Sequence, residues 1–298
     1  MAKLFILTGC GTAMVTPFKK NGELDEDALR KLVEWQITSG INFLVPCGST
    51  GEAATMTMEE QLRVVAITAE VADHRVPIVA GAGSNDTAKA IAMSKALKNS
   101  GATHLLHVTP MYNKPPQRGM LAHFRAVADA GQMRVILYNV PGRTGINLTA
   151  ETTLKLAEHE MISGIKEASG NLDQMAEIIR WRPFGFSVLS GDDALTLPVI
   201  ALGGNGVVSV VSNVVPKEMT DLTTAALAGD RLNATALNEQ LMRWMRAAFI
   251  ESNPIPAKAA LHMMGRIGPT LRLPLVELAP EHQKTVRDAI VEAGAQLK

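Results

Sequence analysis

Short apolar runs along the chain alternate with stretches in which apolar residues recur every third or fourth position. The runs predict strands at residues 11–16, 42–46, 77–81, 104–109, 134–139, 163–167, 187–190 and 207–210. The stretches between them predict amphipathic helices, among them 25–39, 57–72, 87–99 and 117–130. Local signals agree with these boundaries. Thr57 with Glu60 reads as a capping box, Asp86-Thr87 opens another helix, and Ser39-Gly40 and Ser100-Gly101 mark ends. Strand and helix alternating about eight times, at roughly 20–34 residues per repeat, is the pattern of an α/β chain folded as a parallel (β/α)8 TIM barrel. A doubly wound open sheet is the rival, weakened because no G-x-G-x-x-G turn follows the first strand. Near residue 225 the alternation stops. Residues 230–249, 256–264 and 281–295 read as helices, and Asn253-Pro254-Ile255-Pro256 as a breaker between two of them. The expected division is a catalytic barrel over 1–225 and a C-terminal helical appendage over 226–298.

Charge narrows the function classes. Lys+Arg and Asp+Glu both count 29, so the formal net charge is zero. That argues against nucleic acid or an anionic membrane as partner, since both call for a basic surface. No apolar run approaches the ~18 residues of a membrane-spanning helix. Residues 1–9 are too short for a secretory signal and lack a convincing cleavage site. Cys10 and Cys47 are too few for a disulfide framework or metal cluster, and read as small buried residues in strands. The expectation is a soluble, cytoplasmic protein.

The candidate chemistry centres on Lys166, in Ile162-Ser163-Gly164-Ile165-Lys166-Glu167. A lysine in a buried strand is costly unless it forms an ion pair or gives up its proton. A free amine in a pocket is a nucleophile able to form a Schiff base with a carbonyl compound. A lysine whose head merely reaches water at the strand end is the plainer alternative. Barrel active sites lie at the C-terminal ends of the strands. There the chain carries Gly48-Ser49-Thr50-Gly51-Glu52, Gly81-Ala82-Gly83-Ser84-Asn85, Thr109-Pro110-Met111-Tyr112-Asn113, Tyr138-Asn139-Val140-Pro141-Gly142-Arg143, Gly191-Asp192-Asp193 and Gly203-Gly204-Asn205-Gly206. Each has a purely structural reading too. Ser49-Thr50 fits a turn with a helix cap, or two hydroxyls and backbone N–H groups for a carboxylate. Tyr138 fits a core position. Arg143 fits a surface site, or a bidentate fork for a carboxylate. Asp192-Asp193 reads as a helix N-terminal pair in preference to a metal site. The seven histidines are scattered, and no cluster has metal-ligand spacing.

Taken together these segments resemble the pyruvate-dependent class I aldolases of the N-acetylneuraminate lyase and dihydrodipicolinate synthase superfamily. Within it, the chain looks like the 4-hydroxy-tetrahydrodipicolinate synthases. The resemblance runs from Gly11-Thr12-Ala13-Met14-Val15-Thr16-Pro17-Phe18 to Asn253-Pro254-Ile255-Pro256-Ala257-Lys258. It implies that Lys166 forms the imine with pyruvate and that Tyr138 moves protons, with Ser49 and Tyr112 as partners in a relay. It implies that Thr50 and the backbone at Val208 hold the pyruvate carboxylate, with Gly191 also at the substrate site. It implies that Arg143 receives the second substrate, L-aspartate 4-semialdehyde. It further implies no metal or organic cofactor, and a homotetramer made as a dimer of dimers in which Tyr112 crosses an interface.

Two departures bear on the outcome. The synthases usually have Thr-Thr where this chain has Ser49-Thr50, and Ser-Thr is common in the neuraminate lyases. Arg143 favours the synthases. Where lysine-inhibited members carry glutamate, histidine and tyrosine in the effector pocket, this chain has Lys89, Met58 and Met111, which implies insensitivity to L-lysine. A sibling 2-oxo-acid aldolase shares Lys166 and Tyr138 and is the alternative function. A non-catalytic keto-acid-binding barrel would predict loss of a site residue, and none is lost.

Overall fold

Continuous apolar runs suit strands covered on both faces, as parallel sheets require. The computed structural model describes residues 6–298. Part of the 1–9 segment read above for targeting therefore lies outside the described residues. Eight strands form the frame: β1 (Gly9–Ala13), β2 (Phe43–Val45), β3 (Val79–Gly81), β4 (His104–Val108), β5 (Arg134–Asn139), β6 (Ile162–Glu167), β7 (Ser187–Ser190) and β8 (Gly206–Ser209). They pair in parallel in the order β2-β1-β8-β7-β6-β5-β4-β3. A parallel bridge between Leu44 and Ile78 closes the ring. Leu44 N donates to Pro77 O at 3.0 Å and Gly81 N to Pro46 O at 2.9 Å across the same seam. Gly81 is bare for a reason: a Cβ there would lie 1.9 Å from the Cys47 carbonyl oxygen. The result is a (β/α)8 TIM barrel.

The predicted helices form, and the start signals read at Thr57 and Asp86 act as caps. Glu26–Thr38 is capped by Asp25, and Thr87–Leu97 by Asp86. Thr57 and Glu60 close both bonds of the capping box at the start of Met58–Ala72. Gln117–Gly131 follows β4. Two strands begin and end earlier than the pattern suggests. β1 stops at Ala13 because the Asn213 side-chain oxygen, 3.0 Å away, takes the Val15 N–H. β8 stops at Ser209 because the Asp193 carboxylate takes the Val210 N–H at 3.0 Å. Cys10 is a buried strand residue as expected. Cys47 is buried but lies past β2 at a φ of 58°, where the chain turns into the 48–52 loop. Burial pushes its thiol up to about 12.

After the barrel come helices Pro216–Leu227, Arg231–Ala247, Ile255–Met263 and Pro280–Glu292. The expected boundary at residue 225 falls inside the first of them. One apolar core joins Cys10, Met14 and Val207 of the barrel to Leu241, Trp244, Leu261 and Ile290 of the C-terminal helices. Trp244 is fully buried and donates its indole N–H to Val211 O at 3.3 Å. Among the described residues no helix is long and apolar enough to cross a membrane.

Candidate active site

Side chains alternate faces along a strand. In β6 this sends Ile165 into an outer cluster with Phe124, Leu137 and Val188. It also turns Glu167 outward, where Asn139 Nδ2 and Gln174 Nε2 each donate to Oε2 at 3.0 Å and the Ser169 N–H to Oε1 at 2.7 Å. Burial nevertheless raises the Glu167 pKa. Lys166, between them, faces the barrel interior and is 5% exposed. Its neighbours in register are Tyr138 on β5 and Leu189 on β7. Nζ lies 4.2 Å from the centroid of the Tyr138 ring. Among the described residues no carboxylate pairs with Lys166. An aromatic face stands where a structural lysine would have a counter-ion.

Room for this side chain comes from Gly191, immediately after β7. A Cβ at Gly191 would lie 3.1 Å from Lys166 Cε and 2.6 Å from Ala168 Cβ. Val208 of β8 is buried in the same interior layer as Tyr138 and Leu189. Above this layer opens a cavity of about 470 Å3, lined by residues that include Ser49, Met111, Tyr138, Arg143 and Asn253.

Ser49 and Thr50 occupy the short turn Ser49–Gly51 beyond β2. Ser49 is exposed to the cavity, whereas Thr50 is 3% exposed. The turn is held from several sides. Thr16 Oγ1 donates to Gly51 O at 2.7 Å, and Asn253 Nδ2 donates to Thr50 Oγ1 at 2.9 Å. Glu52, at a φ of 56°, accepts from Lys258 Nζ at 2.6 Å and from the Arg272 N–H at 3.0 Å. Arg143 sits in the one-turn helix Pro141–Thr144 at the mouth, and its Nη2 donates to Asn253 O at 3.1 Å.

Of the residues read from the sequence, Ser49, Tyr138 and Arg143 line the cavity itself; Lys166 lies against Tyr138 and Gly191, Val208 in the cluster that holds Tyr138, and Thr50 against Asn253. Tyr112 is not brought to them within one chain. It is 89% exposed at a φ of 71°, and its neighbour Met111 lines the cavity instead. The Asp192-Asp193 pair divides. Asp192 caps the turn Asp193–Leu195 as expected, accepting from Ala194 N at 3.0 Å. Asp193 turns inward to accept from Ser209 Oγ at 2.5 Å, and burial raises its carboxyl to about 6. Residue-by-residue reading missed the supports Glu52, Asn253, Lys258 and Arg272. The one local signal was the Asn253-Pro254-Ile255-Pro256 breaker, which marks a turn without saying what it touches.

A parallel barrel with a buried, unpaired lysine against a tyrosine at its C-terminal mouth is the architecture of a Schiff-base lyase. The chain belongs to the dihydrodipicolinate synthetase family, whose sequence model matches residues 6–293. It is 53% identical over 287 residues to the 4-hydroxy-tetrahydrodipicolinate synthase of Maridesulfovibrio salexigens, covering 96% of this chain and 98% of that one. It is 50% identical over 289 residues to the protein of the same name from Koribacter versatilis, covering 97% and 96%. The crystal structure of dihydrodipicolinate synthase from Aquifex aeolicus superposes with a TM-score of 0.95 at 41% identity, covering 98% of this chain and 100% of that one.

Proposed function

We propose that this chain catalyses the 4-hydroxy-tetrahydrodipicolinate synthase reaction, the condensation of pyruvate with L-aspartate 4-semialdehyde in the diaminopimelate route to lysine. The observation that carries this is Lys166, buried without a counter-ion against Tyr138. Its amine attacks the pyruvate keto carbon, and loss of water gives a protonated imine. That imine is an electron sink, so a methyl proton can leave and an enamine forms. The enamine carbon attacks the aldehyde, and the amine of the second substrate then attacks the imine carbon, closing the ring and freeing Lys166. The imine supplies the electrophile, so the scheme calls for no metal or organic cofactor.

The remaining residues divide the work. A phenol is a weak base at neutral pH, so Tyr138 needs a path for protons to and from solvent. Ser49, exposed in the same cavity, is its partner. Thr50 and the backbone at Val208 hold the pyruvate carboxylate. Arg143, at the mouth, receives the carboxylate of the semialdehyde through a two-pronged contact. The exposure of Tyr112 supports assembly: its ring would enter the site of a second copy and complete the relay. The assembly we propose is a homotetramer of two dimers, working in the cytoplasm.

Borohydride reduction in the presence of pyruvate, followed by mass mapping and a coupled assay with L-aspartate 4-semialdehyde, tests the reading. A pyruvate adduct on Lys166, absent from Lys166→Ala, together with turnover is the expected result. An adduct without turnover would move the assignment to a sibling 2-oxo-acid aldolase. No adduct would refute the imine.

A further inference from the structure

Asn253 lies outside the eight strands, between helices Arg231–Ala247 and Ile255–Met263, yet it is 6% exposed and lines the cavity. Two bonds tie it to the site. Its side-chain Nδ2 donates to Thr50 Oγ1 at 2.9 Å, across 203 residues of sequence. Its backbone carbonyl accepts from Arg143 Nη2 at 3.1 Å, across 110 residues.

The direction of the first bond matters. A hydroxyl has one proton and two lone pairs. With Asn253 donating into a lone pair, the Thr50 proton stays available, and no acceptor for it is present among the described residues. The opposite amide orientation would consume that proton and leave a buried NH2 without an acceptor. Orphaned buried donors are rarer than under-satisfied carbonyl oxygens. The atom left without a partner here is Oδ1, the better tolerated kind.

We propose that Asn253 is a positioning residue: its side chain fixes the Thr50 hydroxyl as a donor to the pyruvate carboxylate, while its backbone carbonyl aims Arg143 at the second substrate. The inference rests on the roles given to Thr50 and Arg143 above. It separates side chain from backbone. Truncating the side chain disturbs pyruvate binding and leaves the Arg143 contact in place. Asn253→Asp is the sharper change, because an isosteric carboxylate only accepts. It takes the Thr50 proton and sets a negative charge beside the substrate's own.

The test compares wild type, Asn253→Ala, Asn253→Asp, Thr50→Val and the Thr50→Val/Asn253→Ala double variant. The readouts are the pyruvate dependence of borohydride trapping and the KM for each substrate. Half-saturating pyruvate should rise about tenfold in Asn253→Ala, the size of one charge-assisted hydrogen bond, and further in Asn253→Asp. The KM for the semialdehyde should stay within about twofold, and Asn253→Ala should add less than about twofold on the Thr50→Val background. An unchanged half-saturation, or a full additive rise on that background, overturns the inference while the imine reading stands. If the alanine variant does not fold, Asn253→Asp decides alone, since it keeps size and shape. Failure of the wild-type chain to trap pyruvate overturns the functional reading and this inference with it.

Discussion

Lys258 Nζ lies 2.6 Å from Glu52 Oε1, with both side chains fully buried. Glu52 directly follows the Ser49–Gly51 turn, and Lys258 belongs to the C-terminal helix Ile255–Met263. The pair therefore clamps the loop that carries Ser49 and Thr50 to the helical region. Lys258 also lies 4.4 Å from the Phe18 ring centroid. Burial pulls the Lys258 ammonium down in pKa, and the Glu52 carboxylate opposes that pull.

Lys258→Met should strand the Glu52 carboxylate in the interior. Removing one partner of a buried pair costs about 3–5 kcal/mol, whereas replacing both often costs far less. Lys258→Met should accordingly lose more stability in urea unfolding than Glu52→Gln/Lys258→Met. Equal losses would show that the pair does not act as a unit.

Tyr138→Phe keeps the ring over Lys166 and removes only the hydroxyl. Pyruvate trapping should persist, because the amine and its pocket are intact. Turnover should fall by about a hundredfold or more, the usual scale for a positioned proton donor and acceptor. Stopped-flow trapping and steady-state turnover, measured side by side, separate the two effects.

Gly191→Ala places a methyl group against Lys166 Cε and Ala168 Cβ. Overpacking of this kind costs about 1–3 kcal/mol; the tightest contact is with Ala168 Cβ, and Lys166, the proposed nucleophile, must also give way at Cε. Imine formation should slow more than global stability falls. A variant with wild-type trapping kinetics would show that Lys166 does not need this space.

Acid should weaken the fold through two barrel histidines. Burial lowers His107 to about 3 and His104 to about 4. An unfolded histidine titrates near about 6.5, so below that pH the unfolded chain binds protons that the folded one does not. Their contribution is complete above that value and is lost as pH falls towards the folded values. Asp193, raised to about 6, works the other way between that value and the ordinary carboxylate range. His107→Leu should flatten the acid-side loss by about 1.4 kcal/mol per pH unit. Ser94 Oγ keeps its 2.7 Å bond to Ala90 O in that variant. Urea midpoints at pH 7 and pH 5 give the comparison.

L-Lysine at millimolar levels should leave activity unchanged. Lys89 is exposed in the first turn of Thr87–Leu97; in an effector pocket placed as the resemblance implies, its cation would repel the ammonium groups of L-lysine. A saturable inhibition curve with a sub-millimolar midpoint would falsify this.

The sequence by itself determined the element order, two of the helix caps and which polar residues follow the strands at the rim. Thr57 with Glu60 and Asp86 are local signals, because each cap is closed within a few residues. Lys166 stood out because a cation is costly in an apolar run. Tertiary structure alone decided where β1 and β8 end, since Asn213 and Asp193 reach over from other loops to take their N–H groups. It alone joined Glu52 to Lys258 and Thr50 to Asn253, pairs 206 and 203 residues apart. It also left Tyr112 outside the cavity of its own chain. Periodicity and capping report contacts within a turn or two of helix or strand. A bond that exists only after the barrel closes and the last helices dock leaves no such trace.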